Sequence, residues 1–205
     1  NKLVMNIYAL SSGRGPSGIA IVRLSGKDAL KISETISQKK HLKPKEINFC
    51  KFFNPLNNTL IDEGLLLLFL SPNSFTGDDL VEFHIHGGNA VISYFLKTLS
   101  EQENCRLAEP GEFTKIAFHN NKIDLIEAES IGDLIHSETE LQRQQSVKFV
   151  QGNASNYYNN LREKLIKSLA YIEAKIDFGE DDLPESVLKQ VHKSILEVHS
   201  DIKKI

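Results

Sequence analysis

The 205-residue sequence predicts an α+β domain followed by an α-helical segment. Over the first 118 residues, short apolar runs with the period 2 of a strand are interleaved with runs of helical period. This interleaving is typical of a sheet covered by helices. From 123 to 178 there is no proline, and apolar residues recur every three or four positions, as in amphipathic helices. We therefore expect two domains, 1–118 and 119–205.

The elements of the first domain are bounded by turn-forming residues. Ser25 and Asp28 have the spacing of a capping box, which predicts the start of a helix. In chain order we expect strands 7–10 and 19–24, a helix to about Ser37, strands 47–53 and 63–70, a strand 80–86, a helix 89–99, a strand near 105–108 and a short helix to His119. One mixed or antiparallel sheet accommodates this order. The glycine-rich loop 11–18 lacks the pattern of a nucleotide-binding loop and leads into a strand, so we interpret it as an ordinary turn or a loop beside a ligand.

The second domain is predicted to contain long helices with breaks near His136 and near Gly152. An acidic stretch at 178–184 separates them from a last helix that begins near Val187. That helix reaches the end of the sequence without a Gly or Pro stop signal. We therefore expect the native protein to continue past residue 205.

Chemistry is expected on the strand 80–86, where two kinds of side chain alternate. Period 2 places Val81, Phe83 and Ile85 on one face. Glu82, His84 and His86 lie on the other face, where a carboxylate and two imidazoles need polar partners or a ligand. Gly87 and Gly88 follow and permit a close approach of backbone or ligand.

Several interpretations of these side chains are open. Glu82, His84, His86 and a distant His119 could form a metal-dependent site, or the strand could simply present a polar face with satisfied histidines. Alternatively, Glu82 could accept paired hydrogen bonds from a guanidine-like edge, either an arginine or the amino-pyrimidine edge of a pterin or guanine.

The other candidate residues are also ambiguous by themselves. Arg23 interrupts an apolar strand and is either an edge residue with a solvated head or a ligand contact. Lys122 lies in a polar linker, where solvation is the usual role. Asp78 and Asp79 suit a capping role better than Mg²⁺ binding, and Glu112 is expected to cap the short helix after Pro110.

Composition excludes some classes of protein. The net charge is +1 over residues 1–118 and −4 over 119–205, without the basic excess of a nucleic-acid-binding domain. The longest apolar run has six residues, whereas a membrane helix needs about 20. Cys50 and Cys105 are isolated, which favours two buried thiols over a zinc site or disulfide framework. A cytoplasmic location without membrane attachment is the expectation.

Read together, the motifs resemble the MnmE (TrmE) family of tRNA modification GTPases, and they occur in the family's order. They are 13–15 (GRG), 18–26 (GIAIVRLSG), 72–79 (PNSFTGDD), 86–88 (HGG), 110–114 (PGEFT), 121–125 (NKIDL) and 127–129 (EAE). The resemblance covers nearly the whole sequence. It implies a folate-binding N-terminal domain, similar to that of the glycine-cleavage T-protein, and the first part of a central helical domain.

The resemblance also implies a function. Family members act with the flavoprotein MnmG to add an aminomethyl-type group to C5 of the wobble uridine of tRNA, using a one-carbon tetrahydrofolate such as the 5-formyl or 5,10-methylene form. The N-terminal domain pairs with a second copy. Family folate contacts fall on Arg23, Glu82 and Lys122. The GTPase domain, which uses GTP, Mg²⁺ and K⁺, is not part of this sequence, so the segment is not expected to hydrolyse GTP.

Overall fold

The structure is a computed structural model that describes residues 5–13, 15–150, 153–177 and 186–203. The chain divides into two compact units, Asn1–Ile123 and Asp124–Ile205. The sequence predicted the domain boundary between residues 118 and 119, whereas the structure places it after Ile123. Lys122 therefore belongs to the first unit and not to the helical one.

The first unit is built on a six-stranded mixed sheet with the strand order β3-β4-β5-β2-β1-β6. Its elements are β1 (Asn6–Leu10), β2 (Ser17–Ser25), α1 (Ala29–Ser37), β3 (Ile47–Asn54), β4 (Thr59–Phe69), β5 (Leu80–Gly87), α2 (Asn89–Ser100), β6 (Cys105–Leu107) and α3 (Glu112–His119). β1 and β6 pair in parallel, and the other neighbouring strands pair antiparallel. The predicted class, an α+β sheet domain followed by helices, is confirmed.

One face of the sheet packs against α1 and α2 and forms the hydrophobic core. Val22, Leu66 and Phe83 are fully buried there, as the alternation of apolar residues predicts. Phe52 meets Phe83 and Phe95 edge to face, with ring centroids 5.6 Å apart in both pairs. Such aromatic pairs add about 0.5–1.5 kcal/mol each beyond the burial of apolar area. The core thus fixes the inward residues of β5 and leaves Glu82, His84 and His86 on the opposite face.

The opposite face of the sheet is covered only in part. Near the Ser25 end of β2, Thr76 is buried and its hydroxyl lies 2.7 Å from that of Ser25. Asn120, just after α3, donates to the carbonyl of Thr76 at 2.7 Å. Farther along the same face, Ile47 and Phe49 of β3 remain exposed. We call the outward residues Ile19, Ile47, Phe49, Leu65 and Leu67 the apolar outer face.

The predicted capping box at the start of α1 is wrong. Ser25 continues strand β2, and α1 begins only at Ala29, after Gly26 at φ +144°. Asp28 precedes the helix without a capping hydrogen bond of its own side chain. Its amide instead donates to Asn6 Oδ1 at 2.9 Å. Tertiary pairing with β1 has replaced the local cap.

Glu112 also departs from its predicted capping role. It is the first residue of α3, which follows Gly111 without a side-chain cap. The carboxylate of Glu112 forms an ion pair with Arg106 and accepts the backbone amide of Glu109 at 2.8 Å. Glu112 therefore ties the turn before α3 to β6.

The second unit contains the helices α4 (Leu125–Ile135), α5 (Glu140–Val150), α6 (Asn153–Asp177) and α7 (Ser186–Ile202). Asp124 and Glu127 form a capping box that starts α4. The break predicted near His136 is confirmed, whereas those near Gly152 and at 178–184 lie outside the described residues. α6 and α7 pack against each other, with Lys164 Nζ 3.5 Å from Asp201 Oδ2.

Among the residues that the structure describes, no helix is both long enough and apolar enough to cross a membrane.

Candidate functional site

The candidate site lies on the central strands of the sheet. β2 and β5 pair antiparallel with Arg23 directly opposite Glu82, and Leu67 of β4 is the partner of Glu82 on its other side. Directly opposite residues project to the same face of a sheet. The strand register thus brings together two residues separated by 59 positions in the sequence.

Arg23 and Glu82 form a short ion pair. The Nε and Nη2 atoms of Arg23 both donate to Glu82 Oε1, at 3.1 and 2.6 Å. The two side chains are 27% and 17% exposed, so the pair is shielded but still accessible. Within the described residues, no hydrogen bond is made to Glu82 Oε2. One carboxylate oxygen is therefore available to a ligand, and Oε1 has lone-pair capacity beyond its contacts with Arg23.

Two aromatic rings hold the guanidinium of Arg23. Its Cζ lies 5.8 Å from the ring centroid of Phe75 and 5.6 Å from that of Phe113. Both distances are within the range of cation–π attraction, which is worth about 0.5–1 kcal/mol at exposed sites. Phe75 belongs to the loop 71–79, which Asp79 closes by accepting the amide of Ser71 at 2.8 Å. That contact fits the capping role predicted for the aspartates.

Lys122 lies against the same loop. Its Nζ donates to the carbonyl of Pro72 at 2.9 Å, and the side chain is exposed. A Cβ added to Gly77 would lie 3.2 Å from Lys122 Cγ, so the lysine stem packs closely on the loop. The structure therefore places Arg23 and Glu82 in direct contact, and it connects Lys122 to them through the loop that carries Phe75.

The two histidines of β5 have different surroundings. His84 Nε2 is buried without a hydrogen-bond partner, 3.9 Å from Glu82 Oε2. His86 is largely exposed, and Asp62 of β4 holds it at two points. Asp62 Oδ1 lies 2.9 Å from His86 Nδ1, and Asp62 Oδ2 accepts the His86 amide at 2.7 Å.

Asp62 is the site residue that the sequence interpretation missed. Burial acts to raise the pKa of Asp62, but hydrogen bonds from His86 and from the Glu63 amide outweigh it and lower the pKa below its ordinary value. The available signal was the pair Asp62 and Glu63, which interrupts an otherwise apolar strand.

The proposed metal ligands do not assemble into one centre. In the part of the chain that the structure describes, no three His, Cys, Asp or Glu side chains are placed to hold a metal ion. Of the two cysteines, Cys50 is buried and Cys105 is half-buried, and both are free thiols.

A small cavity of about 160 Å³ adjoins this site. It lies beside a close contact of β4 with β5, since a Cβ on Gly64 would be 2.1 Å from the carbonyl oxygen of His84. A Cβ on Gly87 would lie 2.0 Å from Ser17 Oγ and 2.5 Å from the Ser17 carbonyl oxygen, which confirms the predicted close approach of backbone at Gly87. At Gly88 the prediction is wrong for the protein's own atoms, because a Cβ there would make an ordinary contact with Val91 Cγ2 at 3.7 Å. The cavity is lined by Gly18, Ile19, Glu63, Gly64, Leu65, His84, Ile85 and His86.

Comparison with protein families matches both units. Residues 6–122 match the family described as GTP-binding protein TrmE N-terminus, and residues 125–205 match the MnmE helical domain. The chain belongs to the MnmE (TrmE) family. The two matched ranges meet where the structure divides the chain, at Ile123 and Asp124.

Curated MnmE relatives extend the match over nearly the whole chain. A tRNA modification GTPase MnmE from Pelagibacter ubique is 52% identical over 98% of this chain and 45% of its own length. The proteins of the same name from Rickettsia typhi and Neorickettsia sennetsu are 42% and 44% identical over 93% and 97% of this chain, and 43% and 36% of their own lengths. The chain thus spans less than half the length of these relatives.

Proposed function

We propose that this chain is the tetrahydrofolate-binding, dimerising segment of a tRNA-modifying GTPase. The whole protein, with the flavoprotein MnmG, would add an aminomethyl or carboxymethylaminomethyl group to C5 of wobble uridine 34. GTP hydrolysis, with Mg²⁺ and K⁺, would belong to a further domain. The curated relatives are more than twice as long as this chain, which is enough for such a domain. A cytoplasmic location is part of the same proposal.

The observation that carries the folate proposal is that Arg23 uses only one of the two carboxylate oxygens of Glu82. Arg23 binds Oε1 and leaves Oε2 without a hydrogen bond among the described residues. The amino-pyrimidine edge of a reduced pterin offers two adjacent N–H donors, and a carboxylate accepts such a pair in the geometry it uses for arginine. The rings of Phe75 and Phe113 beside Arg23 provide flat apolar surface at the same place. These residues therefore fit the cofactor.

Two cations near the carboxylate suit the rest of the molecule. Folates carry carbonyl oxygens and an anionic glutamate tail, both of which accept hydrogen bonds from lysine or arginine. Lys122 is exposed, and within the part of the chain that the structure describes its ammonium group donates to one backbone carbonyl, at 2.9 Å. Two of its three N–H donors therefore remain for a ligand. We assign Arg23 and Lys122 jointly to these groups.

The apolar outer face supports pairing with a second copy. Ile19 is 64% exposed, Ile47 70% and Phe49 61%, and all three project from one sheet surface. Leu65 and Leu67 of β4 lie directly opposite Phe49 and Ile47, so the apolar surface is continuous across these two strands. Exposed apolar surface of this kind marks interaction sites. The adjoining cavity of about 160 Å³ is also smaller than the roughly 300–1,000 Å³ of pockets that bury a drug-sized ligand. A second protomer against this face would enclose the ligand more completely.

Calorimetric titration with 5-formyltetrahydrofolate tests the folate proposal. Glu82→Ala and Glu82→Gln should weaken binding by at least about 30-fold, because removing a charged acceptor from a shielded pair costs roughly 2 kcal/mol or more. Glu101→Gln, on the other side of the sheet domain, is the matched control and should bind normally. Equal affinity in wild type and Glu82→Gln, with circular dichroism showing both folded, would reject the assignment.

His84→Ala separates the folate proposal from a metal-dependent enzyme. Folate binding should survive this substitution, since His84 makes no hydrogen bond to the carboxylate at 3.9 Å. Stoichiometric zinc or iron in the purified protein, lost in His84→Ala, would favour a metal-dependent enzyme.

Size-exclusion chromatography tests the pairing surface. A wild-type dimer that dissociates in Phe49→Glu would support it, and a monomeric wild type would count against it.

A further inference from the structure

Helices α6 and α7 pack against each other and leave two grooves of different character between them. One groove is apolar, with Leu161, Leu165 and Ile202 among its lining residues. The other has a volume of about 280 Å³ and is lined mainly by polar side chains. We call this second groove the lysine cleft. The residues that define it are Lys164, Lys167 and Tyr171 of α6 and Lys193, Ser194 and Glu197 of α7.

The lysine cleft has an excess of positive charge. Its lining contains three lysines and one glutamate among the residues that the structure describes, a net charge of +2. The acidic residues of α6, which are Glu163, Glu173 and Asp177, are not among the lining residues. Residues 119–205 as a whole carry a net charge of −4, so the excess at the cleft is local. An electropositive recess in an acidic segment favours an anionic ligand.

Two of the three lysines are available to a ligand. Lys164 Nζ lies 3.5 Å from Asp201 Oδ2, so this lysine has an acidic partner. Among the residues that the structure describes, neither Lys167 nor Lys193 forms an ion pair. Lys167 Nζ lies 6.0 Å from the ring centroid of Tyr171, at the limit of cation–π range, which keeps it beside the cleft. Each ammonium group offers three N–H donors.

Neutral donors complete the lining. The hydroxyl groups of Tyr171 and Ser194 make no hydrogen bond to any residue in the described part of the chain. The hydroxyl of Ser168 is already used, because it donates to the carbonyl of Lys164 at 2.8 Å. Two ammonium groups and two hydroxyl groups together favour a ligand that carries negative charge and several acceptor oxygens. A phosphate group has both properties, and lysine is a common phosphate ligand in proteins.

We propose that the lysine cleft binds a phosphate group, with Lys167 and Lys193 as its cationic ligands and Tyr171 and Ser194 as hydroxyl donors. Glu197 lies in the same lining and repels the anion, so it weakens binding without preventing it. The phosphate could come from a small phosphorylated compound or from the backbone of an RNA. The cleft shares no residue with the folate site, so the phosphate site goes beyond the proposed function. The RNA source alone rests on the proposed action on tRNA.

Amide nuclear magnetic resonance of the 205-residue protein tests the proposal. Titration with sodium pyrophosphate, at constant ionic strength and without Mg²⁺, should shift the amide signals of α6 and α7 around the cleft to saturation. Sodium chloride at matched ionic strength should not. Lys167→Gln and Lys193→Gln should each weaken pyrophosphate binding about fivefold, and Glu197→Gln should strengthen it about threefold.

Lys189→Gln is the matched control. Lys189 is an exposed lysine of the same helix, α7, but it is not among the residues that line the cleft. The substitution changes the net charge of the protein as Lys193→Gln does, so it measures the effect of overall charge alone. It should change pyrophosphate binding by less than about twofold, because salt screens distant surface charges.

A short RNA hairpin separates the two sources of phosphate. If the ligand is RNA, fluorescence anisotropy should show binding that pyrophosphate displaces and that Lys167→Gln and Lys193→Gln both weaken. Each substitution should then also lower the slope of log K against log[salt] by about one, as expected for the loss of one phosphate contact. Pyrophosphate binding without hairpin binding would assign the cleft to a small phosphorylated compound.

Three results would overturn the proposal. They are the absence of saturable pyrophosphate shifts, an equal loss of affinity in Lys189→Gln and Lys193→Gln, and unchanged or weaker binding in Glu197→Gln, with circular dichroism showing each variant folded. Calorimetry with 5-formyltetrahydrofolate on Lys167→Gln separates this claim from the proposed function. Folate binding should be normal in that variant. A wild-type protein that binds pyrophosphate but not folate would keep the phosphate site and lose the folate proposal.

Discussion

Replacing Gly64 by alanine should destabilise the sheet domain through a single contact. The added Cβ would lie 2.1 Å from the carbonyl oxygen of His84 and 3.2 Å from its carbonyl carbon. Gly64 does not have the positive φ that favours glycine, so the expected penalty arises from space and not from backbone strain. The obstacle is the backbone of the neighbouring strand, which cannot rotate away as a side chain would.

The size of the effect follows from the displacement that is needed. A carbon and a carbonyl oxygen from adjacent strands normally stay about 3.3 Å or more apart, so β4 and β5 must separate locally by roughly 1.2 Å. Hydrogen bonds of the ladder next to Leu65 and His84 would lengthen beyond good geometry at that separation. Each is worth about 1 kcal/mol, and overpacking by one methyl group costs about 1–3 kcal/mol. We expect a loss of about 2–3 kcal/mol.

Native-state hydrogen exchange measures this loss in β4 and β5 separately from the helices. Gly132→Ala is the matched control, because its Cβ would meet no atom within 4 Å and it lies inside α4. That substitution should stabilise α4 by about 0.5–1 kcal/mol, since alanine is the better helix former. The reasoning would be refuted if Gly64→Ala slowed or left unchanged the exchange of β5 amides, or if both substitutions had the same sign.

Three further predictions concern other contacts. The hydrogen bond from Arg106 lowers the pKa of the Glu112 carboxyl group below its ordinary value of 4.5. The contact between Glu112 and Arg106 therefore stabilises the fold fully above pH 4.5, and this stabilisation is lost as the pH falls through the lowered pKa. Glu112→Gln should therefore flatten the acid limb of the melting temperature plotted against pH. Asp124→Ala should cost about 1 kcal/mol by removing the capping box of α4, measured by hydrogen exchange of the α4 amides. Burial raises the pKa of the Cys105 thiol to about 11, so alkylation by iodoacetamide at pH 8 should be far slower in the native protein than in urea.

The controls are available in the same chain. Asp124→Asn should retain most of the cap, because asparagine is an equally good N-cap residue. A steeper acid limb in Glu112→Gln would contradict the sign argued for that pair. Alkylation of Cys105 at equal rates in native and unfolded protein would contradict its raised pKa. Full protection of the α4 amides in Asp124→Ala would show that the cap is not needed.

Local patterns predicted the strand that carries the site. The alternation from Leu80 to His86 placed Phe83 in the core and Glu82 on the open face, and both are found there. Burial of one face leaves little freedom in the register of a strand, which is why a period-2 pattern is informative. The helices of the second unit were recognisable from a different pattern, the recurrence of apolar residues every three or four positions.

Partners across the sheet were not predictable from local sequence. The contact of Asp62 with His86 spans 24 positions and depends on an irregular stretch in β4. The spacing of Ser25 and Asp28 imitated a capping box, but the hydroxyl of Ser25 is used by Thr76, 51 positions away. Arg23 and Glu82 were each singled out, and only the register of β2 against β5 showed that they bind each other.

Strand β3 forms one border of the sheet, and its outward residues Ile47 and Phe49 are exposed. Exposed edge strands with apolar side chains promote aggregation, and proteins commonly protect such edges with lysine. Two lysines are placed at this edge. Lys51 lies within β3, between Phe49 and Phe52, and Lys39 donates to the carbonyl of Phe49 at 3.3 Å. Neutralising these two charges, for instance by acetylation, would remove the guard and favour β-rich precipitates seeded from residues 47–53.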